Sequence, residues 1–156
     1  MPHLYLLFHI LGVCMLLTTI IVSPIFERNI RKASDKNVAL TYQRLFRQIG
    51  LLSPFGSLII LGSGIANMYY LGFGVFSQGW LTAKIILFAV LVVNGGMINP
   101  PLMRKRMNLL EQMAEADSSG DAHATLARYN RQQSIYLLVQ SAIVVVILSL
   151  SVFKPV

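Results

Sequence analysis

His9 and Lys84 are the two residues of this sequence whose chemistry and surroundings point to a functional site. Each lies in a long apolar stretch. A charged side chain at the centre of a membrane span costs about 2.5 kcal/mol or more, so such residues are placed near a surface, paired or used. A neutral imidazole can ligate a metal, and an ammonium can pair with an anion. The alternatives are that His9 makes a structural hydrogen bond and that Lys84 snorkels to the membrane surface.

Four stretches are long and apolar enough to cross a bilayer, which takes about 20 helical residues. They are residues 4–24, 49–71, 80–98 and 135–153. None alternates apolar and polar residues, so strands are not expected. The chain is 55% hydrophobic and 12% charged, with a mean hydropathy of +0.64. The sequence predicts an all-α protein with one transmembrane domain, residues 1–156, folded as an integral membrane four-helix bundle.

The distribution of charge predicts how the helices are oriented. The net charge is +7, and the first and third connections carry eleven Lys and Arg residues, whereas residues 72–79 carry none. The positive-inside rule places the basic connections in the cytoplasm and both termini outside, in a membrane that we expect to be a bacterial inner membrane. The basic residues flank apolar runs and do not alternate with exposed aromatics, so no nucleic-acid partner is predicted. The expected partners are the lipid bilayer and other membrane subunits or further copies of the chain.

The two basic connections are predicted to extend the bundle as cytoplasmic helical hairpins. Each has two helical stretches around a polar turn: 25–33 and 38–48 around Ser34-Asp35-Lys36-Asn37, and 102–116 and 122–133 around Asp117-Ser118-Ser119-Gly120-Asp121. Pro100-Pro101 is expected to bend the third helix near the inner surface.

Small and polar residues within the spans are predicted to hold the helices together. Gly62 and Ala66 are four residues apart and share a helix face, which allows close approach of helices in lipid. Asn94, Asn99 and Gln140 are expected to form hydrogen bonds between helices.

Counting residues from the outer surface places several polar residues at one depth. With about 1.5 Å per residue, His9 and Lys84 lie at similar depths, about five and four residues into their spans. The second span runs outward and brings Asn67 and Met68 near the same level. Because the interior of a four-helix bundle commonly holds cofactors, this layer is a candidate cofactor site.

Several short motifs resemble the HemJ-type protoporphyrinogen oxidases, which are small four-span membrane proteins. They are Leu7-Phe8-His9-Ile10, Tyr42-Gln43-Arg44-Leu45, Gly79-Trp80-Leu81-Thr82-Ala83-Lys84, Arg128-Tyr129-Asn130 and Lys154-Pro155-Val156. The resemblance implies a b-type haem (haem b), with the first-helix histidine and the third-helix lysine, here His9 and Lys84, as the functional pair. It also implies oxidation of protoporphyrinogen IX with transfer of electrons to a quinone.

The sequence departs from that pattern at Asn94-Gly95-Gly96 and at Glu27-Arg28-Asn29, where that family carries histidines, and at Arg131, where it carries an acid. The chain is similar at the same level to DUF2269 membrane proteins and to CopD-like copper-resistance proteins. Two functions therefore stay open, and so does the question of whether the chain is an enzyme.

In the first function, His9 ligates haem iron, Lys84 ligates the iron or pairs with a propionate, and Met68 is a weaker candidate for the second axial position. In the second, the chain is a non-catalytic accessory subunit of a larger respiratory or photosynthetic membrane complex.

Overall fold

The computed structural model describes residues 2–72, 74, 78–115 and 120–153, and these residues contain helices and no strand. The α-helices are α1 Pro2–Lys32, α2 Lys36–Gly50, α3 Leu52–Leu71, α4 Gly79–Val93, α5 Asn99–Glu115 and α6 Gly120–Phe153. Four helical stretches are long and apolar enough to cross a membrane: His3–Lys32, Lys36–Leu71, Gly79–Glu115 and Gly120–Phe153. The predicted all-α class is confirmed, and so is the prediction of four helices long and apolar enough to span a membrane.

The helical stretches extend beyond the apolar spans into the basic connections, with a break at Leu51 between α2 and α3. α6 has 34 residues, which at 1.5 Å each gives about 51 Å, well beyond the roughly 30 Å of the hydrocarbon core. The first predicted turn is present between α1 and α2, where Asp35 Oδ1 accepts a hydrogen bond from the Asn37 backbone N–H at 2.8 Å and caps α2. Residues 117–119 of the second predicted turn lie outside the described residues, and Gly120 and Asp121 form the start of α6 instead.

Buried apolar side chains form two separate clusters. Within the spans, Leu16, Leu91 and Val144 pack together from three helices. In the helical extensions, Ile30 and Leu110 are part of a second cluster. The bundle is therefore packed at two levels, and most of the remaining large apolar side chains are exposed, as expected for helices that face lipid.

The helices α1 and α3 cross in close contact at Gly12 and Gly56. A Cβ atom on Gly12 would lie 2.8 Å from Ile60 Cγ1 and 2.9 Å from the Gly56 carbonyl oxygen. The prediction of close approach at Gly62 is wrong, because nothing lies within 4 Å of a Cβ placed there. The reason is rotational: six residues at about 100° each put Gly62 about 120° around α3 from Gly56.

The third span contains a π-helical segment, Asn94–Ile98, between α4 and α5. The Asn99 backbone N–H bonds to the Asn94 carbonyl, five residues back. Pro100 and Pro101 have no N–H to donate and their rings crowd the preceding turn. A widened turn therefore precedes these prolines, and the bend of the third helix at Pro100-Pro101 stays a prediction.

Candidate functional site

A cavity of about 1260 Å³ lies between α1, α3, α4 and α6, at the end of the bundle that carries residues 72–79. We call it the His9 cavity. Its wall is mainly apolar and includes Leu16, Ile60, Phe88 and Val144. Ligand pockets are usually mainly apolar, with a few placed polar groups, and measure about 300–1,000 Å³. The His9 cavity has this character and is large enough for a ligand of drug size or larger.

The site residues predicted from the sequence all line this cavity. His9 comes from α1, Met68 from α3 and Lys84 from α4, and Asn67 lines it too. Residues from three helices therefore line one cavity, and their common depth stays a prediction. Lys84 Nζ lies 5.5 Å from the centre of the Trp80 ring, within cation–π range, so its ammonium is directed toward the tryptophan one turn away.

His9 is oriented by a serine that sequence reasoning missed. Ser63 Oγ lies 2.6 Å from the Ile59 carbonyl oxygen, which can only accept, so the single hydroxyl hydrogen is donated there. His9 Nδ1 lies 3.0 Å from the same Oγ and must then be the donor. In a neutral imidazole this leaves the lone pair on Nε2.

This arrangement is the usual one for metal-ligating histidines, whose other ring N–H is held by an acceptor. A signal for Ser63 was available in the sequence. Ser63 precedes Asn67 by four residues, so it lies on the same face of α3 one turn deeper.

Hydrogen bonds join α6 to α4 and α5. Gln140 Nε2 donates to the Leu91 carbonyl at 3.3 Å and lies 2.7 Å from the Tyr136 hydroxyl. Gln133 Nε2 donates to Asn99 Oδ1 at 3.2 Å. The predicted interhelical bonds of Gln140 and Asn99 are confirmed, whereas within the described chain Asn94 makes none and that prediction is wrong.

A charged cluster at the opposite, basic end of the bundle was also missed. Arg106 Nη1 donates to Glu27 Oε2 at 2.6 Å, and the two side chains are 1% and 6% exposed. Arg31 Nε donates to Glu27 Oε1 at 2.8 Å, and its Nη2 contacts the Asn130 carbonyl and the Ser134 hydroxyl. These contacts join α1, α5 and α6. In the sequence, Arg106 is recognisable only as one of the basic residues that set the topology.

The described lining of the His9 cavity includes one His and no Cys, Asp or Glu. In the described part of the chain, no three His, Cys, Asp or Glu residues are grouped so that they could hold an ion. A single histidine is sufficient when the other ligands come from a macrocycle, as in haem proteins. The cavity therefore offers one oriented nitrogen in an apolar surround.

Comparison with known proteins identifies a family. The family model described as "Predicted integral membrane protein (DUF2269)" matches residues 3–155. No curated protein and no solved structure matches the chain significantly. The matched region includes the whole His9 cavity and the basic cluster.

Proposed function

The chain belongs to the DUF2269 family of integral membrane proteins, and from that premise we propose that it binds a b-type haem in the His9 cavity, with His9 Nε2 as an axial ligand. The observation that carries the proposal is the hydrogen bond from His9 Nδ1 to Ser63 Oγ at 3.0 Å. It holds the imidazole as the tautomer that presents a lone pair at Nε2.

The charge of the lining supports an amphiphilic, anionic ligand. Among the described residues of the cavity wall, Lys84 is the one Lys or Arg, and there is no Asp or Glu. A haem combines an apolar ring with two propionates, so its ring matches the apolar wall and a propionate matches the ammonium of Lys84. Trp80 lies beside Lys84 in the cavity wall. Indole rings favour the headgroup level of a membrane, so this part of the cavity is expected to lie near the membrane surface.

Met68 is the candidate for the second axial position. Its thioether lines the same cavity from α3, the helix packed against α1, and a thioether is a soft ligand that haem iron would accept. When bound, the haem would supply one-electron redox chemistry, which suits oxidation of a porphyrinogen or transfer to a quinone. The protein's own part is to fix the His9 ring, to present the Lys84 charge and to keep the iron in an apolar surround.

A reduced-minus-oxidised absorption spectrum of the detergent-purified protein tests this proposal. We expect a sharp b-type band in the wild type, after addition of hemin if needed, and its loss in His9→Ala. His3→Ala is the matched control, because His3 is an exposed histidine on the same helix that does not line the cavity. Equal haem in the wild type and His9→Ala would overturn the assignment. A colourless wild type that copurifies with other membrane subunits would favour the accessory role.

Lys84 is tested by comparing Lys84→Leu with Lys84→Arg. Loss of a charge-assisted contact to a propionate should weaken haem binding by about tenfold or more, whereas Lys84→Arg keeps the charge and should retain most of the affinity. If Lys84→Leu binds haem as tightly as the wild type and is more stable, Lys84 only snorkels to the membrane surface.

A further inference from the structure

A second concave site, which we call the basic groove, lies between α1 and α6 at the basic end of the bundle. Its volume is about 600 Å³. It is lined from α1 by Pro24, Glu27, Arg28, Arg31 and Lys32, and from α6 by Ser134, Leu137, Leu138 and Ser141. Both sets recur at intervals of three and four residues, so one face of each helix forms one wall.

The groove is positively charged at its mouth. Its single carboxylate, Glu27, forms an ion pair with buried Arg106, so the Arg106 guanidinium already balances the charge of Glu27. Arg31 is fixed by Glu27, the Asn130 carbonyl and Ser134. Arg28 and Lys32 are exposed and form no ion pair with any residue that the structure describes. Two cations therefore line the groove without an ion-pair partner among the described residues.

The depth of these groups matches the layers of a membrane. Pro24, Leu137 and Leu138 fall inside the apolar stretches, and Leu138 is 71% exposed. Arg28 and Lys32 lie four and eight residues beyond Pro24, which is about 6 Å and 12 Å along the helix. The headgroup region on each side of a bilayer is about 5–8 Å thick. The cations are therefore at and just beyond headgroup level, and the leucines are at acyl-chain level.

We propose that the basic groove binds an anionic phospholipid, with the phosphate of the headgroup on Arg28 and Lys32 and an acyl chain along Leu137 and Leu138. Basic pockets between membrane helices on the positively charged side commonly hold anionic headgroups. The apolar lower half favours a lipid over a free phosphate, because only a lipid fills both halves. This assignment is independent of the haem proposal, since the groove and the His9 cavity share no lining residue.

Lipid binding to the delipidated, detergent-purified protein tests this assignment. Native mass spectrometry would compare phosphatidylglycerol with phosphatidylcholine of the same acyl chains. We expect the wild type to retain phosphatidylglycerol preferentially. The double variant Arg28→Gln/Lys32→Gln should bind it about 10- to 30-fold more weakly, because each basic residue near an anionic headgroup strengthens binding about fivefold.

The matched control is Arg104→Gln/Lys105→Gln, which removes the same two charges from exposed positions on α5 outside the groove. It should keep the preference. Equal binding of both lipids by the wild type, or an equal loss in the control, would overturn the proposal. Complete displacement of the lipid by millimolar inorganic phosphate would show a phosphate site instead, and retention of an acidic peptide in place of lipid would show a protein site.

Discussion

Arg106 and Glu27 form a buried two-pronged ion pair, with Nη1 2.6 Å from Oε2 and Nη2 3.3 Å from Oε1. The residues are 79 positions apart and join α5 to α1. Arg106 has no exposed surface, although the sequence places it in a run of basic residues that looks solvated. The pair therefore fixes how the extension of the third span sits against the first.

Breaking this pair from one side is expected to destabilise the fold strongly. Glu27→Ala leaves the Arg106 guanidinium buried without its counter-charge, which costs about 3–5 kcal/mol. Unfolding followed in detergent by circular dichroism measures the loss. Glu111→Gln is the control, because its contact with Arg44, at 3.4 Å, is solvent-exposed and is worth at most about 1 kcal/mol.

Replacing both partners separates charge burial from packing. Glu27→Leu combined with Arg106→Leu should recover much of the stability lost in Glu27→Ala, since no buried charge remains. A Glu27→Ala variant no less stable than Glu111→Gln would show that the ion pair contributes little.

The crossing of α1 and α3 gives a second prediction. Gly12→Ala should destabilise by about 1–3 kcal/mol, because the new Cβ would meet Ile60 Cγ1 at 2.8 Å and the Gly56 carbonyl at 2.9 Å. Gly62→Ala should be neutral or stabilising by up to about 1 kcal/mol, since the space is open and alanine favours the helix. Thermal midpoints of the two variants test this. Equal effects would mean that the helices can separate at Gly12 without loss.

Features that depend on position along a helix axis could be predicted from the sequence. The direction that a residue faces around the axis was harder to predict. Hydropathy predicted the four long apolar helices, and residue counts grouped His9, Met68 and Lys84, which line one cavity. Rotation decides which glycine meets a neighbouring helix, and there the expectation for Gly62 was wrong and Gly12 was overlooked. A single apolar face is hard to recognise in a lipid-exposed helix, because apolar residues occur on all its sides.

Contacts between residues far apart in the sequence could not be predicted either. Glu27 and Arg106 each look like ordinary interface charges, and the sequence holds no sign that they meet. The π-helical segment before Pro100 was likewise not predicted, since the prolines suggested only a bend of the helix. In contrast, the bond between His9 and Ser63 joins residues that depth and helix-face counting could have paired, so that part of the site was within reach of the sequence.

The orientation in the membrane remains a prediction that labelling tests. In a Cys14→Ala background, Gln78→Cys should react with a membrane-impermeant maleimide in intact cells, because residues 72–79 carry no charge and are expected outside. Asn108→Cys, on the exposed side of α5 among the basic residues, should react only after permeabilisation. The reverse pattern would place both termini in the cytoplasm.

Ser63 gives a prediction that separates a haem ligand from a structural histidine. Ser63→Ala removes the acceptor of the His9 Nδ1 hydrogen, so the ring is free to turn or to change tautomer. If His9 ligates haem iron, affinity for hemin should fall about 10- to 100-fold and the reduction potential should shift. Ser57→Ala is the control, because Ser57 is a buried serine on the same helix that does not line the cavity. Hemin titration and a redox titration of both variants provide the two readouts. If the wild type binds haem and Ser63→Ala binds it with unchanged affinity and potential, the contact between Ser63 and His9 only joins α1 to α3 and the axial ligand must be sought elsewhere in the cavity.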